Sequence, residues 1–325
     1  MTRALVVTQP GDRSVLQVQD IEVAPPAAGE VQVRVAAVGV NFIDVYKRQG
    51  VYPLPTPFVT CEEGAGVVEA VGAGVEDLAV GDKVAWAGQA ASAAELANIA
   101  AAQAVPVPDG LDLETAAAAM LQGMTAHYLV NSTWPVQKGQ IALVHAAAGG
   151  VGQLLVQLIT GKGATVVATA GSDEKLQIAK DLGAAHTINY REFSGDALAE
   201  QVRKVAGRGL DVAYDGVGKA TFDASLKSLR PRGMGVLFGG ASGQVEPLDL
   251  QVLNRLGSLF VTRPKLQDHL QDREELLWRA GDILRQLADG TLKLQIGATF
   301  ALDDAAAAYE ALEGRKTTGK LLLVP

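Results

Sequence analysis

The spacing of apolar residues divides the chain into two regions. In the first region, apolar and polar residues alternate with the two-residue period of half-buried strands, and Val31-Gln-Val-Arg-Val35 is the clearest example. Turn-forming pairs such as Pro10-Gly11 and Gly81-Asp82 separate these runs. Residues 1–123 are therefore predicted to be β-rich. The predicted strands are Ala4–Thr8, Val15–Val18, Glu30–Val38 and Gly64–Val71.

Two alanine-rich segments are ambiguous by composition. Ala90–Ala104 has the composition of a helix, because alanine has the highest helix propensity. However, it lies between strand-like segments and runs into Val105-Pro-Val-Pro108, so we interpret it as strands and a turn. Leu113–Asn131 has a helical pattern, and Gly123 predicts an interruption within it.

From Ile141 onward, short apolar runs alternate with segments of helical spacing. This order predicts a doubly wound parallel sheet of about six strands. The predicted strands are Ile141–Ala146, Thr165–Ala170, His186–Asn189, Val212–Asp215, Gly235–Gly239 and Ser258–Thr262. The predicted helices are Gly152–Lys162, Asp173–Leu182, Asp196–Ala206, Lys219–Leu229 and Leu248–Arg255.

The last part of the chain adds four predicted elements. They are a polar helix at Asp272–Ala288, a strand at Lys293–Phe300, a helix at Asp303–Leu312 and a strand at Lys320–Val324. The final strand is expected to join the β-rich N-terminal region.

The strand from Ile141 runs directly into the glycine-rich turn Ala147-Ala-Gly149-Gly150-Val151-Gly152, after which a helix begins. This is the dinucleotide-binding fingerprint, with Ala147 at its first glycine position. Glycine at the second position lets the backbone approach a pyrophosphate, and glycine at the third lets helix and strand pack closely. The free N–H groups at the helix start suit a phosphate. The pattern predicts a nucleotide site, the alternative being a tight turn without a ligand.

The end of the second predicted strand indicates which dinucleotide binds. A site for NAD usually places an acidic residue there, to hold the ribose 2′-hydroxyl. Here the strand runs into Gly171-Ser172, and Asp173 and Glu174 fit the first turn of the next helix instead. Lys175 follows, and Tyr190 and Arg191 end the next predicted strand. A small residue, a hydroxyl and a cation favour the 2′-phosphate of NADP(H). The alternative for Lys175 is a solvated helix face.

Composition and charge narrow the function classes. The 325 residues are enough for about two domains. The net charge of −8 disfavours a nucleic acid as the main partner. Cys61 is the single cysteine, which excludes an intrachain disulfide and fits a cytoplasmic protein. The N-terminus has no long apolar segment, and no apolar run is long enough to span a membrane, so neither a signal peptide nor a membrane span is expected.

Taken together, several motifs resemble the zinc-free quinone oxidoreductases of the medium-chain dehydrogenase/reductase superfamily, the group that includes ζ-crystallin. The resemblance covers essentially the whole chain. The motifs that carry it are Val38–Pro53, Glu63–Val68, Gly81–Val84, Gly139–Gln157, Tyr214–Gly218, Phe238-Gly239 and Ser258–Pro264.

The resemblance implies a Rossmann dinucleotide-binding domain at 124–264, inserted into a GroES-like catalytic domain made of 1–123 and 265–325. It implies transfer of hydride from NADPH to quinones or related electrophilic carbonyl compounds. Reduction of an activated C=C bond in enals or enoyl thioesters is the alternative within enzymes. A nucleotide-binding crystallin-like or RNA-binding protein is the alternative of another class.

The resemblance also implies the cofactor-contacting positions. With the glycines of the turn included, these positions are Asn41, Tyr46, Tyr128, Gly149, Gly150, Val151, Gly152, Gly171, Ser172, Lys175, Tyr190, Phe238, Gly239, Val261, Thr262 and Arg315. Tyr52 matches the position of a proposed proton-donating tyrosine in related enoyl reductases, and we predict it as the catalytic donor, with Asn41 and Tyr46 orienting the nicotinamide. The alternative is that Tyr46 and Tyr52 only pack the domain interface and have no catalytic role.

Zinc dehydrogenases of this superfamily bind the metal with Cys and His ligands, which this sequence lacks at the corresponding positions. Asn41 stands where the first Cys would be, and Cys61-Glu62-Glu63 replaces Gly-His-Glu. No zinc site is expected. Cys61 is interpreted as a small buried side chain rather than a nucleophile, and His145 as a hydrogen-bonded core residue.

Related enzymes pair an edge strand across a two-fold axis. The apolar segment 257–262 comes last in the predicted sheet, where an exposed edge favours association. We therefore expect a homodimer through this strand, the alternative being that the helix from Asp272 covers it.

Overall fold

The computed structural model describes residues 1–314 and 317–325. The chain divides into two compact units. The first contains Met1–Met124 and Leu270–Pro325, and the second contains Thr125–His269. No helix among the described residues is long and apolar enough to cross a membrane.

The first part of the chain is rich in strands, as the alternation predicts. The strands are β1 (Thr2–Val7), β2 (Leu16–Ile21), β3 (Glu30–Val40), β4 (Phe58–Val59), β5 (Glu63–Val71), β6 (Lys83–Ala87), β7 (Leu96–Ala100) and β8 (Val105–Pro106). In β3, Val31, Val33 and Val35 are buried while Arg34 is exposed, so the predicted half-buried strand is confirmed. The segment Ala90–Ala104 contains β7 and a 3-10 turn at Ala101–Gln103, which confirms its interpretation as non-helical.

Two helices belong to this part of the chain, α1 (Phe42–Arg48) and α2 (Leu113–Tyr128), and a π-helical turn at Leu129–Thr133 follows α2. The predicted interruption near Gly123 is wrong, because α2 runs through this residue. A Cβ atom on Gly123 would lie 2.6 Å from Cγ2 of Ile283. The glycine therefore serves a close approach of two helices of the first unit, and the helix tolerates its lower propensity.

The second unit is a doubly wound parallel sheet. Its strands are β9 (Ile141–Val144), β10 (Thr165–Ala170), β11 (His186–Asn189), β12 (Leu210–Asp215), β13 (Leu229–Leu237) and β14 (Phe260–Thr262). Its helices are α3 (Gly150–Gly161), α4 (Asp173–Asp181), α5 (Gly195–Ala206), α6 (Phe222–Ser228) and α7 (Gln251–Arg255). All neighbouring strands pair in parallel, in the order β11-β10-β9-β12-β13-β14. The six-stranded sheet predicted from the sequence is confirmed.

Several bounds in this unit differ from the prediction, and the start of α6 and the start of β13 have a clear physical reason. The helix expected from Lys219 begins only at Phe222, because Gly218 has a φ of +88° and the chain is still turning there. β13 begins at Leu229 rather than Gly235, since Leu229 already pairs with Leu210 of β12.

The chain then returns to the first unit with α8 (Arg273–Ala288), β15 (Ile296–Ala301), α9 (Ala305–Glu313) and β16 (Lys320–Val324). The described strands of the first unit form two sheets. The larger has the order β15-β16-β3-β5-β6-β8, with β7 also paired to β3, and the smaller has the order β2-β1-β4. β16 pairs antiparallel with β3, so the last strand joins the N-terminal sheet as expected.

Each unit has a hydrophobic core of its own. In the first unit the core contains Val33, Trp86, Ile99 and Leu323, and in the second it contains Leu143, Val167, Val202 and Leu226. The β-branched and leucine residues that suggested strands and helices are the residues that fill these cores.

Candidate functional site

The glycine-rich turn of the second unit connects β9 to α3. The backbone enters α3 through Gly149, whose φ of −78° and ψ of 168° are those of an extended N-cap residue. A Cβ atom on Gly152 would collide with the carbonyl oxygen of Ala146 and lie 2.8 Å from Cα of Ala147. Helix and strand therefore approach as closely as the fingerprint predicts. The first N–H groups of α3, at Gly150 and Val151, have no carbonyl partner within the helix and are suited to a phosphate.

The residue before this turn has an uncommon backbone conformation. Ala146 has a φ of +50°, in the left-handed region that residues with a Cβ rarely adopt. This explains why β9 ends at Val144 and not at the predicted Ala146. Such a conformation costs free energy, so the surrounding structure must hold it in place.

The end of β10 provides a second set of polar groups. Ser172 caps α4, since its hydroxyl accepts a hydrogen bond from the backbone N–H of Lys175 at 3.4 Å. Gly171 lies against Tyr190, and a Cβ atom there would be 2.9 Å from the tyrosine oxygen. Partial burial, followed by the nearby charge of Arg191, lowers the pKa of Lys175. Two cations and a hydroxyl thus lie together at a strand end where an NAD site would have an acid.

The other predicted cofactor positions of this unit lie on different elements. Phe238 and Gly239 follow β13, and the N–H of Phe238 donates to the carbonyl oxygen of Asp215 at 2.9 Å. Val261 and Thr262 lie on β14. Tyr128 is buried, and its ring stacks on that of His269 with 4.2 Å between centroids.

The first unit contains a buried polar cluster around Asn41, at the point where β3 ends. The amide nitrogen of Asn41 donates to Oε2 of Glu63 at 2.7 Å, and its amide oxygen accepts from Nζ of Lys320 at 2.6 Å. Lys320 also forms an ion pair with Glu63, and both side chains are fully buried. The second oxygen of Glu63 accepts from the backbone N–H of Leu121 at 2.6 Å. The orientation of the Asn41 amide is therefore fixed by a buried anion and a buried cation.

Asp44 lies next to this cluster and is also fully buried. Its Oδ2 accepts from the backbone N–H of Asn41 at 2.7 Å, whereas Oδ1 has no hydrogen-bond partner among the described residues. Burial raises the pKa of Asp44 to about 7, against the lowering effect of the hydrogen bond from Asn41. The buried ammonium of Lys320 thus lies near two buried carboxyl groups, and burial favours the protonated form of Asp44.

The predicted tyrosines lie beside each other near the end of α1. The rings of Tyr46 and Tyr52 meet edge to face, with 5.9 Å between centroids, and the N–H of Tyr52 donates to the carbonyl oxygen of Tyr46. Tyr52 is 46% exposed and is followed by exposed residues up to Pro57. The structure therefore brings the two tyrosines together and leaves Tyr52 accessible to solvent. Arg315, also predicted to contact the cofactor, lies outside the described residues.

The donor set does not fit a zinc ion. Among the described residues, no group of three or more His, Cys, Asp or Glu side chains is arranged to bind a metal. Cys61 is buried, as expected, and its sulfur contacts the hydroxyl of Tyr309 at 3.6 Å. Burial raises the pKa of Cys61 well above its usual value, which disfavours the thiolate that a metal ligand or nucleophile needs.

No role was predicted from the sequence for Glu63 or Lys320. A charged residue at an inward position of an apolar strand is a signal for Glu63 and Lys320, because charged side chains are rarely buried without a partner. Periodicity alone does not show which two charges meet. The partnership of Lys175 and Arg191 likewise depends on the parallel pairing of β10 and β11.

Two family models match the chain. Residues 27–138 match the alcohol dehydrogenase GroES-like domain, and residues 150–271 match the zinc-binding dehydrogenase model. A quinone oxidoreductase of Salmonella typhimurium is 42% identical, and the match covers 97% of each chain. A 2-haloacrylate reductase of a Burkholderia species is 39% identical and covers 100% of this chain and 99% of its own.

Among solved structures, the quinone oxidoreductase of Escherichia coli, crystallised with NADPH, superposes with a TM-score of 0.94 at 38% identity. The superposition covers 99% of this chain and 100% of that one. These similarities extend over both units and agree with the GroES-like and Rossmann-type architecture. The chain therefore belongs to the quinone oxidoreductase family of the medium-chain dehydrogenase/reductase superfamily.

Proposed function

We propose that the protein is an NADPH-dependent quinone oxidoreductase. The observation that carries the cofactor assignment is the end of β10, where Ser172, Lys175 and Arg191 lie together and no acid takes the ribose position. The Escherichia coli relative that binds NADPH supports the same assignment. In this proposal the first unit is the catalytic domain and the second the dinucleotide-binding domain.

Cofactor preference is tested by removing one cation. A charge-assisted contact to a phosphate contributes about 1.5–3 kcal/mol, so Lys175→Ala is expected to weaken NADPH binding roughly tenfold or more. NADH affinity is expected to change little. Lys180→Ala, on the exposed last turn of the same helix, is the matched control and should affect neither cofactor. Titration of dinucleotide fluorescence measures both; an equal loss for NADPH and NADH in Lys175→Ala would refute the assignment.

Bound NADPH supplies the hydride, and the chain must bind the acceptor and provide for the proton. Hydride addition places negative charge on the acceptor oxygen, which a donor or a proton must meet. In this proposal Tyr52 donates to that oxygen, while Asn41 and Tyr46 orient the nicotinamide. The exposure of Tyr52 and its contact with Tyr46 support this role.

Tyr52→Phe tests the proton donor. We expect a clear loss of kcat with enal-type acceptors and a small loss with quinones, because a reduced quinone can take its proton from solvent. NADPH affinity should not change. Steady-state kinetics with both acceptor classes measures the difference, and an unchanged kcat on every acceptor that turns over would make Tyr52 structural.

Reduction of an activated C=C bond is the second candidate function. The relative named 2-haloacrylate reductase, at 39% identity over the whole chain, favours it specifically. NADPH oxidation with quinones, enals, enoyl thioesters and 2-haloacrylates, measured in parallel, separates the two candidates by their kcat/KM. Absence of turnover with all of them would favour a nucleotide-binding protein of the crystallin-like or RNA-binding kind.

The proposed reaction does not require zinc. The pairing of Glu63 with Lys320, and the protonated, buried state of Cys61, support this proposal. Activity is expected to survive prolonged treatment with a chelator, measured as NADPH oxidation with a quinone. Elemental analysis that finds one zinc per chain, lost together with activity, would contradict it.

We further propose a homodimer that works in the cytoplasm on a small-molecule quinone or enone. β14 is the edge strand of the sheet in the second unit, and Phe260 on it is 54% exposed. An exposed apolar edge strand is suited to pairing with a second copy across a two-fold axis.

A further inference from the structure

A buried hydrogen-bond chain lies behind the glycine-rich turn of the second unit. Oγ1 of Thr169 is 2.7 Å from Nδ1 of His145, and Nε2 of His145 is 3.0 Å from Oγ of Ser225. The Ser225 hydroxyl in turn donates to Oδ2 of Asp215 at 2.7 Å. All four side chains are buried. The expectation that His145 is a hydrogen-bonded core residue is confirmed, and the two hydrogen-bond partners of its side chain lie on two other elements, β10 and α6.

The direction of each bond follows from the number of protons available. Ser225 has one hydroxyl proton, which it donates to the Asp215 carboxylate, so its oxygen accepts from His145. Nε2 of His145 therefore carries the proton. Burial lowers the pKa of His145, against the raising effect of Asp215, so the ring is neutral and Nδ1 accepts from the Thr169 hydroxyl.

The chain connects the carboxyl ends of three parallel strands. His145 follows β9, Thr169 is next to last in β10, and Asp215 ends β12. Ligands of doubly wound sheets bind at this edge. Asp215 also accepts from the N–H groups of Val217 and Gly218, each at 2.9 Å, so it fixes the loop after β12 as well.

His145 directly precedes Ala146, the residue with the unfavourable positive φ. The backbone on both sides is held as well, since the N–H of His145 donates to the carbonyl oxygen of Tyr214 at 3.1 Å and that of Ala147 to the carbonyl oxygen of Thr169 at 3.0 Å. A residue in this conformation persists only where its surroundings over-determine it. The hydrogen bonds of His145 supply that constraint at the entrance to the glycine turn.

We infer that His145 and Ser225 are positioning residues for the dinucleotide, which act by holding the β9–α3 turn and the loop after β12 in register with each other. The inference rests on the proposed function, because it assumes that a dinucleotide binds at this edge. It concerns the pyrophosphate-binding backbone, which NADPH and NADH share, and not the 2′-phosphate.

Ser225→Ala breaks the link between His145 and Asp215. Ser228→Ala is the matched control, because Ser228 is also fully buried on α6, and its hydroxyl bonds only to the carbonyl oxygen of Ala224 among the described residues. Both variants lose one buried hydroxyl, so both are expected to lower the thermal unfolding temperature. Only Ser225→Ala is expected to weaken dinucleotide binding, by roughly tenfold, because only this change releases the β9–α3 turn from the loop after β12.

The loss in Ser225→Ala should be the same for NADPH and NADH, which separates it from the effect of Lys175→Ala. The value of kcat at saturating NADPH should be unchanged, since the reacting atoms are not touched. Thr169→Val, which removes the opposite end of the chain at nearly constant volume, should weaken both dinucleotides in the same way and serves if Ser225→Ala does not fold.

Fluorescence titration of each variant with NADPH and NADH measures the dissociation constants of the two dinucleotides. If Ser225→Ala and Thr169→Val bind both dinucleotides as Ser228→Ala does, the residues are merely structural and the inference is wrong, while the proposed function is unaffected. If the wild-type chain binds neither dinucleotide, the proposed function and the inference are both wrong.

Discussion

At the scale of single residues, the buried charges of the first unit have the largest consequences. Lys320→Met would leave the Glu63 carboxylate buried without its ammonium, and breaking a buried ion pair in this way costs about 3–5 kcal/mol. The double variant Glu63→Gln with Lys320→Met removes both charges and is expected to recover most of that loss. Denaturant unfolding of the single and double variants measures the difference. A double variant no more stable than Lys320→Met would show that the cost is one of packing rather than charge.

Asp44 makes stability depend on pH in the opposite sense to an ordinary salt-bridged carboxylate. Its pKa is about 7 in the folded chain, against 3.8 for an ordinary aspartate. Between these two pH values the folded state binds a proton that the unfolded state has lost, so this group's contribution to the free energy of unfolding decreases as pH rises. Asp44→Asn keeps an uncharged acceptor and should remove this dependence.

The measurement compares the unfolding free energy of wild type and Asp44→Asn from pH 5 to pH 8. The free energy of unfolding of Asp44→Asn, relative to that of the wild type, should increase as the pH rises. Asp109→Asn, on an exposed loop, makes the same change of formal charge and is the control. A constant difference between wild type and Asp44→Asn over the whole range would contradict the raised pKa.

Burial of individual residues was only partly predictable. Cys61 and His145 could be assigned to the interior because their neighbours in sequence are apolar strands. The pairing of Glu63 with Lys320 could not, because the two residues are brought together by β16 lying beside β3, a contact between distant parts of the chain. The raised pKa of Asp44 depends on the same long-range arrangement, because its burial does.

At the scale of elements, Gly123 separates helix propensity from packing. Alanine favours a helix interior over glycine by about 1 kcal/mol, but its Cβ atom at this position would lie 2.6 Å from Cγ2 of Ile283. Overpacking of this kind costs typically 1–3 kcal/mol, so Gly123→Ala is expected to destabilise the protein overall. Gly161→Ala, at the end of α3 with open space around its Cβ atom, should be neutral or stabilising.

Combining Gly123→Ala with Ile283→Ala tests the mechanism, because it removes the atom that would clash. Thermal unfolding should show that Gly123→Ala costs less in the Ile283→Ala background than in the wild type. Equal costs in the two backgrounds would mean that the strain lies elsewhere.

The elements themselves followed from local pattern wherever apolar residues repeat with one clear period. The strands of the second unit were predicted because each is a short apolar run bounded by turn residues. The fingerprint turn was predicted from the spacing of its glycines between a strand and a helix. The interruption of α2 was predicted wrongly, since a glycine weakens a helix locally but can be favoured by a neighbouring helix. α1 was missed, because Phe42–Arg48 is short and directly follows a strand.

At the scale of the whole molecule, the edge strand predicts how copies assemble. Light scattering of the wild type at micromolar concentration is expected to give a dimer. Phe260→Lys places a charge on β14 and should give a monomer, because charged side chains on an edge oppose strand pairing. Leu250→Lys is the control, since Leu250 is 70% exposed but lies outside the edge strand. A wild-type monomer, or a dimer that survives Phe260→Lys, would contradict the proposed interface.

The order of strands in the first unit has a consequence for the time course of synthesis on the ribosome. β3 is translated early, yet its partner β16 is formed by residues 320–324, about 280 residues later. The second unit, in contrast, consists of one continuous segment, Thr125–His269, and all of its strands are available once that segment has left the exit tunnel. The nascent chain should therefore complete its dinucleotide-binding sheet first, while Val38–Val40 at the end of β3 still lack β16, their partner strand. The rest of β3 already has β5 and β7 beside it, so during that interval its unpaired end is a site where a chaperone would protect the chain.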